Sequence, residues 1–396
     1  MQARTRTLFV TCVSLLLSVL VWFNYSAVLP LIADEWGLSG TEAGIVFGSF
    51  QAGYLLAIIP MGHLADRHSP RVVIGFGAAT TGLLSVTFGL VASGFLSGSV
   101  LRFFAGVGMA GVYVPGMRFL SDWYPTEDRG RAMGMYVGSY SLASGLSFLF
   151  ATAVADAVDW RAAIVVTSIG ALAVAPLMLG LTRDHPSQST ADRSGFDLTV
   201  LRNRAYLWSV SVYSWHTWEL FGMRNWMLAF LLTVPAVVVV DSGAFAGVLV
   251  GVTMAVGGFG NLIGGHLSDR VGRLPTIGTA LAVSGLISAV FGFLGALPLW
   301  AIVPVLLVYG TALTADSAPT STMVTEVVDD GHVGTALALQ SFVGFAASVV
   351  SPIAFGVALD RGGYVVAFLT LAIGGALGLL SLALLRLRTD AATDTV

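Results

Sequence analysis

GHLADRHSPR at residues 62–71 returns as GHLSDRVGR at residues 265–273, starting 203 positions further along a chain of 396. Five of the first six positions are identical and the offset is close to half the length, so the chain reads as one unit copied once. On both sides of each copy the sequence stays apolar for stretches of about 20 residues, the length that crosses a hydrocarbon core about 30 Å thick. Such stretches, bounded by charges, Pro or Gly, number about twelve: 8–30, 42–63, 72–92, 96–119, 131–155, 161–182, 206–233, 243–265, 275–294, 298–322, 334–358 and 363–385. Each copy of the repeat falls between the second and third spans of its own half. The expected fold is an all-α membrane protein of about twelve transmembrane helices in two six-helix bundles related by an internal duplication. Residues 1–182 form the first bundle, 183–204 a polar cytoplasmic linker, and 205–396 the second bundle.

Composition agrees with lipid as the solvent. Hydrophobic residues make up 56% and charged residues only 10%, against about 25% charged in a soluble domain. Cys12 is the single cysteine, which rules out an intrachain disulfide framework and a cysteine zinc site. The six histidines form no i, i+4 pair and no HExxH pattern, so neither a metal nor another cofactor is expected. The net charge of -3 and the absence of a basic run speak against a nucleic-acid partner. GVGMAG (106–111) matches G-x-G-x-x-G but lies inside an apolar span with no preceding strand, so close helix packing explains it.

Arginine sets the orientation. With the N-terminus cytoplasmic, one side receives Arg4, Arg6, Arg67, Arg71, Arg129, Arg131, Arg183, Arg193, Arg202, Arg204, Arg270, Arg273, Arg386 and Arg388. The other receives Arg161 and Arg361 beside Asp34, Glu35, Asp156, Asp159 and Asp241. Both termini are then cytoplasmic, in a multi-pass protein of the plasma (inner) membrane that is expected to work as a monomer. Arg4 and Arg6 ahead of an apolar core also permit a signal-peptide reading, but the core is too long and no small-x-small site follows it.

The repeated loops resemble the major facilitator superfamily, whose pattern there is G-x-x-x-D-R-x-G-R-R. The second copy keeps Gly265, Asp269, Arg270, Gly272 and Arg273 and has Leu274 for the last basic residue; the first keeps Gly62, Asp66, Arg67 and Arg71, with Ser69 and Pro70 replacing Gly-Arg. LRFFAGVGMAG (101–111) looks like the family's buried-arginine element, and DWYPTEDRGRAMG (122–134) is similar to its loop between spans four and five. The resemblance covers the whole chain and implies two bundles rocking about a midplane site. It also implies a cytoplasmic gate made of Gly62, Asp66, Arg67, Arg71, Gly265, Asp269, Arg270 and Arg273. The proline that drug antiporters of the family often carry in span five is missing.

Ionisable groups in mid-span are costly and need a reason, about 2.5–3.5 kcal/mol each on insertion scales. Residues 214–226, SWHTWELFGMRNW, hold most of them. Glu219 lies roughly 17–21 Å into span seven at 1.5 Å per residue, near the midplane, with His216 three residues earlier on its face. A carboxylate in a partly dry cavity can load and release a proton; the plainer reading is a permanent pair with an arginine. Arg224, about 140° round an ideal helix from Glu219, cannot pair with it unless Gly222 breaks the helix; otherwise it snorkels to the interface. Trp215, Trp218 and Trp226 make a stripe that either packs or walls a cavity. Arg102 in span four is open to proton relay, anion binding or an acidic partner. Asp316, in GTALTADSAPTST beside Pro319, belongs to an expected kinked, water-lining helix. Tyr54, Tyr113 and Gln340 complete the candidate substrate contacts, each equally readable as an interhelical hydrogen bond.

The function expected from these residues is secondary active transport of a small solute by alternating access, as proton-coupled symport of a small organic anion. Its partners are a small-molecule substrate, protons and the lipid bilayer. The alternative is a proton-coupled exporter of drugs or metabolites. An enzyme is not expected, because the spans contain no nucleophile with a base and no metal-ligand set.

Overall fold

The computed structural model describes residues 3–185, 198–240, 242–329 and 332–393. Arg193, Asp241, the Arg388 side chain and most of the expected linker (186–197) lie outside the described residues. Within them the chain is helical almost throughout and contains no strand. The helices are α1 Ala3–Trp36, α2 Gly40–Arg67, α3 Pro70–Val91, α4 Phe95–Met109, α5 Tyr113–Trp123, α6 Thr126–Ala157, α7 Trp160–Leu172, α8 Val174–Leu181 and α9 Arg204–Leu231. The short α10 Pro235–Val238 follows, then α11 Gly243–Val271, α12 Arg273–Phe291, α13 Leu299–Ala315, α14 Ser317–Glu326 and α15 Val333–Thr393.

Ten segments among the described residues are long and apolar enough to cross a bilayer, with α4–α5, α7–α8 and α13–α14 each making one broken crossing. The last of the ten, 55 residues, is too long for one crossing of about 30 Å. It is two spans joined where Gly362 and Gly363 leave the helix, Gly363 with φ +69°. α9 is a further crossing of 28 residues, its average hydropathy lowered by His216, Glu219 and Arg224. The order of twelve spans is the one expected from the sequence.

Local chemistry marks the ends. Ser39 and Glu42 form a capping box at the start of α2, the Glu42 amide donating to Ser39 Oγ at 3.2 Å and the Ser39 amide to Glu42 Oε2 at 2.9 Å. In the first repeat copy Pro70 occupies the first turn of α3 after Ser69 at φ −59°, whereas in the second Gly272 turns at φ +99° before α12. The two loops thus share a sequence signature but turn differently.

The chain forms two compact units: Met1–Asp192 with Val240–Met254, and Arg193–Val239 with Ala255–Val396. In the first, α2 packs on α4, α1 on α6, and α3 on α7. A methyl group on Gly106 would overlap the Phe50 carbonyl, and one on Gly53 the Phe103 carbonyl, so α2 and α4 meet backbone to backbone. Close packing is therefore what GVGMAG supplies. The first residues of α11 join this unit through Asp156, which accepts from the Ala244 amide at 2.8 Å. In the second unit α9 and α12 both pack along α15, and α12 along α13.

Candidate substrate and coupling site

α9 runs unbroken through Gly222, so Glu219 and Arg224 face apart. Glu219 is buried at 1% exposure and meets hydroxyls instead of a cation. Ser284 donates to Oε2 at 2.9 Å, Ser288 to Oε1 at 2.7 Å, and the Tyr309 hydroxyl to Oε1 at 3.4 Å. Ser288 and Tyr309 are themselves 2.6 Å apart. Ser284 and Ser288 stand one turn apart on α12, and Tyr309 comes from α13. No arginine pairs with Glu219 among the described residues. The permanent-pair reading therefore lacks its partner. Hydroxyls rotate and can donate or accept, so they serve a carboxylate in either protonation state, where an arginine would hold it charged.

His216, one turn earlier, faces the next joint. Its Nδ1 lies 2.8 Å from Asp316 Oδ1, and its Nε2 lies 3.0 Å from Ser317 Oγ. Asp316 is both the last cap of α13 and the first of α14, so the expected kink is a break at this residue. His216 is 4% and Asp316 1% exposed, which makes this a buried pair. The Asp316 carboxylate has no well-directed hydrogen bond among the described residues besides that contact.

The other candidates divide between the units. Arg102 is turned onto α1: Nη1 donates to the Val21 carbonyl at 3.0 Å and Nη2 to the Trp22 carbonyl at 3.1 Å, with its charge 4.4 Å over the Phe50 ring. No acidic residue pairs with it among the described residues. The Tyr54 ring lies tilted against Trp22 at 4.9 Å and the Tyr113 ring meets Tyr140 edge-on at 5.7 Å, in an aromatic cluster of the first unit. Arg224 is buried, so it does not reach out to an interface. The tryptophan stripe of α9 lies against α15: Trp218 Nε1 donates to the Thr370 carbonyl at 3.0 Å and Trp226 Nε1 to the Pro352 carbonyl at 3.0 Å. Trp215 packs beside Trp218 at 6.0 Å. The stripe is helix packing, and Glu219 points elsewhere. Gln340 is 2% exposed on α15.

At their repeated loops the two units build similar bridges with different arginines. In the first unit Arg118 of α5 lies 3.5 Å from Asp66 and also binds Asp122. In the second, Arg273 lies 2.5 Å from Asp269 and 3.1 Å from Glu326 of α14. Pro70 stands where the repeat places Arg273, which is why the first unit draws its cation from α5. Arg71 turns the other way, to Asp184 at 3.2 Å and the Thr182 carbonyl at 2.8 Å. Arg67 and Arg270 are exposed, and Gly62 and Gly265 are partly buried on their helices. Ser284, Ser288, Tyr309, Asp122, Asp184 and Glu326 were not singled out from sequence. The one signal available was a pair of serines spaced i, i+4 on apolar α12.

Twelve spans in duplicated halves, with buried ionisable groups inside the second half and charge bridges at the repeated loops, define a polytopic transport protein. The Major Facilitator Superfamily profile matches residues 11–315 and 220–395, and the chain belongs to that family. The chain spans 36%, 66% and 47% of the length of the first three curated relatives it matches, each of them named as a transporter. It is 28% identical over 165 residues to the probable L-galactonate transporter of Escherichia coli, covering 41% of this chain but only 36% of that one. It is 23% identical over 360 residues to the hexuronate transporter of Bacillus subtilis, covering 85% of this chain and 84% of the other. Among solved structures it superposes on a bacterial homolog of the human lysosomal transporter Spinster, in an inward-facing and occupied conformation. That match has a TM-score of 0.81 at 18% identity, covers 98% of this chain and 97% of the other, and concerns the fold alone.

Proposed function

We propose that the protein carries a small organic anion across the plasma membrane in symport with protons, with Glu219 as the proton-loading group. The anion class is supported by two relatives named for sugar-acid transport. The coupling rests on one observation: a fully buried carboxylate whose partners are Ser284, Ser288 and Tyr309 and no arginine. Such a group can change charge without breaking an ion pair, and a charge that appears only in one state biases a two-state equilibrium. The bundles 1–182 and 205–396 act as the two moving bodies on a cytoplasmic linker, both termini lie in the cytoplasm, and the protein works as a monomer. His216 and Asp316 join Glu219 in the second bundle. Arg102, Tyr54 and Tyr113 shape the first, and the bridges of Asp66, Asp269 and Arg273 act as the gate.

Proteoliposomes test this with L-galactonate and a hexuronate as first probes. Wild-type protein is expected to accumulate solute under an inward proton gradient and to exchange it with no gradient. Glu219→Gln is expected to keep exchange and lose gradient-driven accumulation. Accumulation by this variant at the wild-type rate would remove Glu219 as the coupling group.

A further inference from the structure

Several buried polar atoms in the second unit find no hydrogen-bond partner among the described residues: both Asp316 carboxylate oxygens apart from the His216 contact, Thr320 Oγ1, and both amide atoms of Gln340. All three side chains are at most 2% exposed. Buried polar groups are rarely left unsatisfied, so a cluster of them points to something bound.

The helix register brings them to one place. Val324 of α14 and Ala336 of α15 share a core cluster with Tyr206 and Val210 of α9, and the Tyr206 hydroxyl donates to the Ala336 carbonyl at 2.9 Å. α14 and the start of α15 are successive spans and run antiparallel. One turn deeper from this cluster, α14 therefore presents Thr320 and α15 presents Gln340. A further turn brings Asp316 and Gly344, where a methyl group would strike the Tyr213 ring and come within 3.1 Å of Thr217 Oγ1. The patch thus sits between α9, α14 and α15.

Its chemistry is oxygen-rich with one negative charge: a carboxylate, a hydroxyl and an amide carbonyl. No group of three or more His, Cys, Asp or Glu that could hold a metal ion occurs among the described residues, so any cation here must rest on one carboxylate and neutral oxygens. Hard oxygen donors beside a broken helix suit a small alkali cation.

We propose that Asp316, Thr320 and Gln340 form a sodium-ion site in the second half of the transporter. His216, on Oδ1, orients the carboxylate and leaves Oδ2 for the ion. The bound cation offsets the charge of the anionic substrate and ties the two halves of the broken tenth span to α15. This assignment rests on the reading of the protein as a proton-coupled anion transporter, to which it adds a second, bound cation, but its test requires no substrate.

The probe is sodium alone. The purified full-length protein is melted in NaCl, KCl and choline chloride at equal ionic strength, with tryptophan fluorescence as the readout. Sodium is expected to raise the melting temperature while potassium and choline do not. Thr320→Val and Gln340→Leu are expected to raise the half-saturating sodium concentration on the order of tenfold or more, and Asp316→Asn to abolish the response. Should Asp316→Asn not fold, the first two variants decide the matter. Equal melting of the wild type in the three salts, or an unchanged sodium response in both Thr320→Val and Gln340→Leu, overturns the site. Stabilisation by sodium with no sugar-acid exchange in proteoliposomes overturns the transport reading and leaves the ion site standing; exchange with no sodium response does the reverse.

Discussion

Glu219 and His216 stand out in the sequence because an ionisable group in an apolar run is costly and therefore rare. Their partners do not stand out. Hydroxyls abound in these spans, and most satisfy themselves on their own helix, as Ser18 does on the Ser14 carbonyl at 2.8 Å and Thr152 on Phe148 at 2.7 Å. Nothing local separates those from Ser288, which reaches another helix at 2.7 Å. Arg102 illustrates the same limit: its depth was legible, but the α1 carbonyls that receive it were not. Hydrogen bonds to charged groups contribute about 1.5–3 kcal/mol each. A lysine has no fork to span two carbonyls, so Arg102→Lys should lose about 2 kcal/mol. Thermal unfolding of the purified variant reads this directly, and a melting temperature equal to wild type would show that the clamp contributes nothing.

Glycine carries different meanings from helix to helix. Gly222 offered a place for α9 to break, yet a single glycine costs a helix only about 1 kcal/mol, and packing outweighs that here. A methyl group there would overlap Leu371 of α15 and come within 2.5 Å of Ser351 Oγ. Gly222 is thus a contact between α9 and α15, and the unbroken helix is what turns Arg224 away from Glu219. The α2–α4 contact is tighter, being backbone on backbone. Gly106→Ala must push the two helices apart, and overpacking of this kind costs about 1–3 kcal/mol. A lower melting temperature with full retention of helix by circular dichroism is the expected result; an unchanged melting temperature would mean that the helices separate freely. The real break in the second unit falls at Asp316, where the run of small and hydroxylated residues with Pro319 gave fair warning.

Across the whole molecule, the duplication sets up equivalent bridges that the two copies complete differently. The side chains of Arg118 and Arg273 are about a quarter exposed, 24% and 25%, so solvent screens their pairs and they add little to stability. The proposed gate places their weight on the exchange between conformations. Arg118→Gln and Arg273→Gln should each melt near the wild-type temperature and slow solute exchange several-fold; exchange at the wild-type rate in both would dismiss the gate. The number of spans, their order and the repeat were settled by the sequence alone. Lipid cannot satisfy backbone groups, so every crossing must be an apolar helix of about 20 residues, a requirement met segment by segment. Which polar group meets which was decided only in the tertiary structure. Glu219 finds Ser284 and Tyr309 at separations of 65 and 90 residues, and such pairings depend on helix rotation and depth, which hydropathy along the chain does not encode.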